Sequence, residues 1–217
     1  MKEIFKKYGH GIFALYLFIY LPWFFALEGL TDVDYHVMHC VLDDYIPFCE
    51  FFIIPYTTWF FYMFFTCIFM FFKSKRGDFY RFAITLTGGM SIAMFICMLY
   101  PSCTNLRPEY IEGTGILAKL IAVLYTIDTS TNVFPSIHVL DSIIACVALE
   151  RNEYIRKHLS FRIINIFVCV MICLSTVFIK QHSALDVIGA AVLYVILYCI
   201  IYLPKYKWFN DERILIP

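Results

Sequence analysis

Charge-free runs divide this chain. Phe51–Phe72 holds no charged residue, and neither do Gly11–Leu27, Phe82–Tyr100, Ile163–Ile179 and Val187–Leu203. A bilayer core of about 30 Å needs about 20 apolar residues of helix. A sixth run, Val133–Leu149, is interrupted by His138 and Asp141. The pattern predicts six transmembrane helices near residues 11–30, 51–72, 82–100, 134–149, 162–180 and 184–203. Barrel strands would alternate polar and apolar residues, and these runs do not. The expected fold is all-α, a six-helix integral membrane bundle forming one domain over residues 1–217. The longest loop is 101–133, and within it Thr114–Tyr125 is apolar but too short to span. It reads as a helix lying in the outer interface, or as a re-entrant piece packed on the bundle.

Composition agrees. Of 217 residues, 61% are apolar, 19% aromatic and 16% charged, against about 25% charged in soluble domains. Disorder, coiled coils, disulfide-stapled mini-domains and ordinary soluble enzymes are excluded. With 17 basic and 17 acidic residues, nothing points to a nucleic-acid partner. The Lys and Arg residues are unevenly placed. Lys2, Lys6 and Lys7, then Lys73, Lys75, Arg76 and Arg81, then Arg151, Arg156, Lys157 and Arg162, then Lys205, Lys207 and Arg213 fall on one side. Only Arg107, Lys119 and Lys180 fall on the other. The positive-inside rule places both termini in the cytoplasm and the first, third and fifth loops outside. Three lysines before a long apolar run, with no small-residue cleavage site, do not read as a cleavable signal peptide. Six of nine cysteines lie inside spans; Cys40, Cys49 and Cys103 lie near the outer face, where a disulfide can form but no pairing is specified.

Ionisable residues in spans cost about 2.5–3.5 kcal/mol on insertion scales, so they mark function. Arg107, Ser136, His138, His182 and Asp186 all fall where spans meet the outer surface. His182 and Asp186 are four apart, which stacks them on one face of a helix. The carboxylate then accepts Nδ1–H and leaves Nε2 free as nucleophile or base. His138, from another helix, suits protonation of a leaving group. Arg107 offers a fork of donors for phosphate. Pro135-Ser136 before a helix adds a hydroxyl and amide donors. The group reads as a phosphoryl-transfer site with no metal and no cofactor. Asp141 either orients His138 or bonds another helix. Asp128 and Asn132 either contact a headgroup or cap the fourth helix, and Asp44 stands ready for a headgroup alcohol. His36, His39 and Cys40 have a spacing a metal can use, but no fourth ligand is evident.

On these residues the chain resembles the type 2 phosphatidic acid phosphatase superfamily of membrane lipid phosphatases and phosphotransferases. Leu106-Arg107-Pro108, Pro135-Ser136-Ile137-His138 and Ser175…His182…Asp186 match its three motifs in order and spacing. Asp44-Tyr45-Ile46-Pro47-Phe48 with Tyr56 and Trp59 resembles the branch of inositol phosphorylceramide and sphingomyelin synthases. The chain departs from the motifs at Tyr100 (Lys in the family), Ile137 (Gly) and Thr176 (Arg). The resemblance implies that His182 attacks phosphorus to form a phosphohistidine, Asp186 orients it, and His138 protonates the leaving oxygen. It further implies that Arg107, Ser136 and Ser175 hold the non-bridging oxygens. Lys180 either replaces a missing cation or snorkels to the interface. The expected partners are a membrane lipid substrate and the bilayer. Three functions follow: a lipid phosphatase at the extracytoplasmic surface, a lipid headgroup transferase, or a non-catalytic transporter or scaffold. Carriers place polar residues near the bilayer midplane, and these lie at the outer ends, which favours an enzyme.

Overall fold

The computed structural model describes residues 9–30, 33–111, 115–204, 206 and 209. Lys2, Lys6, Lys7, Lys205, Lys207 and Arg213, which enter the charge asymmetry, lie outside the described residues. A 3-10 segment, Gly9–Tyr16, continues into α1 (Leu17–Glu28). The next loop holds β1 (His36–Val37) and α2 (Val41–Tyr45). A turn at Glu50–Phe52 opens α3 (Ile53–Lys73), followed by α4 (Arg76–Leu99) and β2 (Ser102–Cys103). Then come α5 (Ile116–Ile127), α6 (Ile137–Arg151), α7 (Glu153–Lys157), α8 (Leu159–Phe178) and α9 (Ala184–Ile201).

Five segments are long and apolar enough to cross a membrane: Gly11–Glu28, Glu50–Lys73, Arg76–Leu99, Leu159–Phe178 and Ala184–Ile201. The chain therefore has the build of a multi-pass membrane protein. Its exposed helix surfaces agree: Phe60, Phe61, Phe64 and Phe65 of α3 are all more than half exposed. The third of these segments starts at Arg76, earlier than the charge-free run, and carries Asp78 and Arg81, 3.6 Å apart, in its first turns.

Helix α6 is the exception in length. Its 15 residues rise about 22 Å at 1.5 Å each. It is also the centre of the bundle, packed against α3, α4, α8 and α9. Leu140 and Ile144 are fully buried among Phe82, Ala93, Ala190 and Leu193. Gly89 of α4 lets the helices close: a Cβ there would lie 3.1 Å from Leu197 and 3.3 Å from Leu140. A helix enclosed by protein escapes the demand for an apolar lipid-facing surface, so it can carry His138 and Asp141.

The bundle has two distinct ends. At one, Asn152 Nδ2 donates to Lys73 O at 3.4 Å and Lys75 lies 3.6 Å from Glu153. These contacts bring the basic loops after α3 and α6 together. At the other end the loops are knitted by a two-residue parallel ladder, His36 opposite Ser102 and Val37 opposite Cys103. The segment before α6 joins this ladder: Cys103 bridges to Thr131, and Asn132 N–H donates to Ser102 O at 2.6 Å. The ladder lies in loops, where backbone groups need partners that helices do not supply. Here α5 packs against the Glu50–Phe52 turn and α3, with Ile116, Leu120, Val123 and Ile127 exposed and Ala118 and Ile121 buried. All nine cysteines, Cys40, Cys49 and Cys103 among them, are free thiols.

Candidate active site

The site begins where α8 ends. Lys180 has φ 57°, Lys180 N–H donates to Val177 O at 3.2 Å, and Gln181 N–H donates to Thr176 O at 3.0 Å. This is a Schellman termination with a lysine where glycine is usual. The lysine is held there by its own head: Nζ donates to Asp43 O at 2.8 Å and Ile46 O at 2.5 Å. The tight turn places His182 just outside α9, whose N-cap is Ser183. His182 and Asp186 therefore meet through a capping box rather than along a helix face. Asp186 turns back to accept Ser183 N–H at 2.8 Å, and the same Oδ2 lies 3.3 Å from His182 Nδ1. An ionised carboxylate only accepts, so Nδ1 carries the proton and Nε2 keeps its lone pair. Asp186 is fully buried, and its Oδ1 has no partner.

His138 enters from α6, whose N-cap is Ser136. The Ser136 hydroxyl accepts Val139 N–H at 3.4 Å, and its backbone N–H donates to Asp186 O at 3.2 Å. That last bond joins the second motif directly to the third. The His138 ring packs on Tyr56 and Trp59, with centroids 4.6 and 4.5 Å away, and stands 5.9 Å from the His182 ring. Tyr56 and Trp59 are three apart on α3, so both rings project from one side of that helix.

The remaining sequence-predicted residues lie around this pair. Arg107 stacks on Tyr125 at 4.2 Å and donates to Tyr125 O at 3.1 Å and Asp128 O at 2.6 Å. It secures the chain leaving α5, and its Nε is buried without a partner. Ser175 is buried, and its hydroxyl donates to Ile172 O at 2.6 Å. Ser136 caps α6, so neither Asp128 nor Asn132 does so. Lys180 clamps α2. The structure brings His138, His182 and Asp186 together and turns the four predicted phosphate-binding groups to backbone partners. His36 stacks on Tyr100 at 4.2 Å, and His39 Nε2 lies 2.8 Å from Asp44.

Both histidines face a pocket of about 260 Å³ between α1, α3, α5 and the turn after α8. Tyr20, Phe24, Trp59 and Phe60 form much of its wall. Polar groups line it as well. Asp128 accepts the Tyr56 hydroxyl, and Gln181 Nε2 at 2.9 Å. Glu28 accepts Asn132 Nδ2 at 3.0 Å and the Thr129 hydroxyl. No Lys or Arg lines the pocket among the described residues.

Three residues of consequence escaped sequence reasoning: Glu28, Gln181 and Asp43. Glu28 ends a charge-free run, and Gln181 sits between Lys180 and His182, so both had a positional signal. Asp43 had none beyond the acidic loop around it. Its carboxylate accepts Ser183 Oγ–H at 2.5 Å, Ala184 N–H at 2.8 Å and Cys40 N–H at 2.8 Å. Burial pushes the Asp43 carboxyl up, but these hydrogen bonds outweigh burial and hold it below the usual carboxylate range. Comparison of this chain with protein families, with curated proteins and with solved structures finds no match.

Proposed function

We propose that this chain is an integral membrane lipid phosphatase or phosphotransferase working through a phosphohistidine at the extracytoplasmic surface. The observation that carries this reading is the convergence of His138 and His182, 5.9 Å apart, on one pocket, with Asp186 behind His182. In this reading α6 is a sixth span, both termini are cytoplasmic, α5 lies in the outer interface, and the ladder end of the bundle is outside. The pocket's rim supports access from the bilayer: Leu21, Phe25, Phe60 and Ile127 line it and are exposed.

His182 Nε2 attacks phosphorus while the bond to the leaving oxygen breaks. His138, as imidazolium, gives that oxygen its proton. In the second half, water or a lipid alcohol gives a proton to His138 as its oxygen bonds to phosphorus and the N–P bond breaks. Asp186 holds the His182 tautomer. The Trp59 Nε1–H, buried without a partner beside His138, is a donor for a non-bridging oxygen. Arg107 acts as a positioning residue, through Asp128. Water as acceptor makes a phosphatase, and a lipid alcohol makes a headgroup transferase.

The test is transfer of labelled phosphorus in mixed micelles containing chelator, with a lipid panel and with diacylglycerol and ceramide as acceptors. Label appearing as a soluble phosphate product or in a new lipid, and lost in His182→Ala, is the expected result. No movement of label from any lipid overturns the enzyme reading and leaves a transporter or scaffold.

A further inference from the structure

The end of the bundle away from the histidines carries an unbalanced charge. Asp78 pairs with Arg81 at 3.6 Å, and Glu150 with Arg162 at 2.8 Å. Glu153 pairs with Lys75 at 3.6 Å and with Lys157 at 2.9 Å. Each of these acids is thereby engaged. Lys73, Arg151 and Arg156 are exposed, and among the described residues no carboxylate pairs with any of them. One buried residue gathers the three. Asn152 is 4% exposed, and its Nδ2 donates to Lys73 O at 3.4 Å and to Ser74 Oγ at 3.5 Å. Its own carbonyl accepts Arg156 N–H at 2.9 Å, and Arg151 precedes it in the chain. The ends of α3 and α6 and the last turn of α7 therefore meet around one amide. The Arg151 guanidinium lies over the Tyr202 ring, 5.1 Å from its centroid. A guanidinium stacked in this way keeps its N–H edges free for an anion. The positive-inside bias asks only for basic residues in these loops. It does not ask that three of them stay unpaired beside a shared anchor. Phe72, Tyr154 and Leu159, next to these cations in sequence, are exposed apolar side chains. A soluble anion has no use for them, whereas a lipid has chains to lay on them.

We infer that Lys73, Arg151 and Arg156 form a binding site for the headgroup of an anionic phospholipid, in the leaflet opposite the histidine pocket. Charge complementarity selects this occupant: the arginine forks and the Lys73 ammonium take the phosphate oxygens. The acyl chains lie along the exposed apolar side chains at the same helix ends. On α6, Arg151 stands about 20 Å from His138. A lipid held here is therefore a bound partner and not the molecule at the histidines. The inference rests on α6 crossing the membrane and on no chemistry at the pocket.

The experiment is titration of the full chain, purified in nonionic detergent, with short-chain phosphatidylglycerol and phosphatidylcholine at low and high salt. Phosphatidylglycerol is expected to bind about tenfold more tightly at low salt. The preference is expected to shrink at high salt, which screens exposed charges. The triple variant Lys73→Gln/Arg151→Gln/Arg156→Gln is expected to lose it. Lys119→Gln, an exposed lysine of α5 at the histidine end, is expected to keep it. Equal affinity for the two lipids overturns the site. So does a preference that survives in the folded triple variant, or one that is lost in Lys119→Gln. If the triple variant does not fold, Arg156→Gln alone is read in its place, with a severalfold loss expected and no loss overturning the site. Glycerol phosphate, an anion without acyl chains, is expected to bind about tenfold more weakly than phosphatidylglycerol. Equal binding makes this a site for soluble anions and overturns the lipid as occupant. The measurement reads no turnover, so its failure leaves the phosphohistidine reading standing, and failure of label transfer leaves this site standing.

Discussion

Asp43 and Ser183 are bonded across 140 residues of chain, carboxylate to hydroxyl at 2.5 Å, and Asp43 also takes the Ala184 N–H at 2.8 Å. The loop between α1 and α3 thereby holds the start of α9, one residue from His182. Asp43→Ala leaves a buried hydroxyl and amide without their partner, which costs about 1–3 kcal/mol. A lower thermal midpoint in detergent is the expected outcome, with loss of transfer activity beyond the loss of folded protein.

The same carboxylate gives a pH dependence with a definite sign. Its pKa is lower in the folded chain than the ordinary 3.8. Its stabilisation is therefore complete above about pH 4 and is lost as pH falls through the folded value. Thermal midpoints measured from pH 6 down to pH 3 will fall in the wild type, and less steeply in Asp43→Asn. Parallel curves would remove Asp43 as the cause.

Gly189 gives room to a ring. A Cβ there would lie 2.4 Å from Phe134 Cε2 and 2.7 Å from its Cζ. Gly189→Ala pushes Phe134 and, with it, Pro135 and Ser136 at the start of α6. Overpacking of this kind costs about 1–3 kcal/mol. Reduced activity is expected, with partial recovery in Gly189→Ala/Phe134→Leu. Equal activity in the two alanine variants would argue that the ring is displaced without consequence.

Asp186 has two tasks, orienting His182 and completing the α9 capping box. Asp186→Asn keeps the shape and one acceptor oxygen but ends the carboxylate's support of the imidazolium. A fall in kcat of about 10²–10⁴ is expected, the range for a mispositioned acid–base group. Loss of a cap alone lowers stability by about 1 kcal/mol. A thermal midpoint that drops with kcat unchanged would reduce Asp186 to a cap.

Lys180 separates a clamp from a phosphate ligand. Its ammonium donates to Asp43 O and Ile46 O. Lys180→Met removes both bonds and keeps the unfavourable φ, whereas Lys180→Gly removes the bonds and relieves it. The glycine variant is expected to be the more stable, as measured by thermal midpoint. A lower KM for anionic lipids in wild type than in both variants would instead return Lys180 to phosphate binding.

The sequence alone determined that this is a helical membrane chain, because charge-free runs of about 20 residues have few other solutions. It also singled out His138, His182 and Asp186, since buried ionisable groups are rare enough to stand out among apolar neighbours. It determined less about α6: hydropathy measures exposure to lipid, and α6 is wrapped by four helices. What surrounds the histidines came only from tertiary structure. Arg107, Ser136, Ser175 and Lys180 are donors whose side chains can turn to phosphate or to backbone, and the choice belongs to loops that meet late in the chain. Glu28 and Asp128 are 100 residues apart, and no local pattern tells that they share a pocket. Helices form from neighbours in sequence, whereas the charge of a cavity is set by which chain segments close around it.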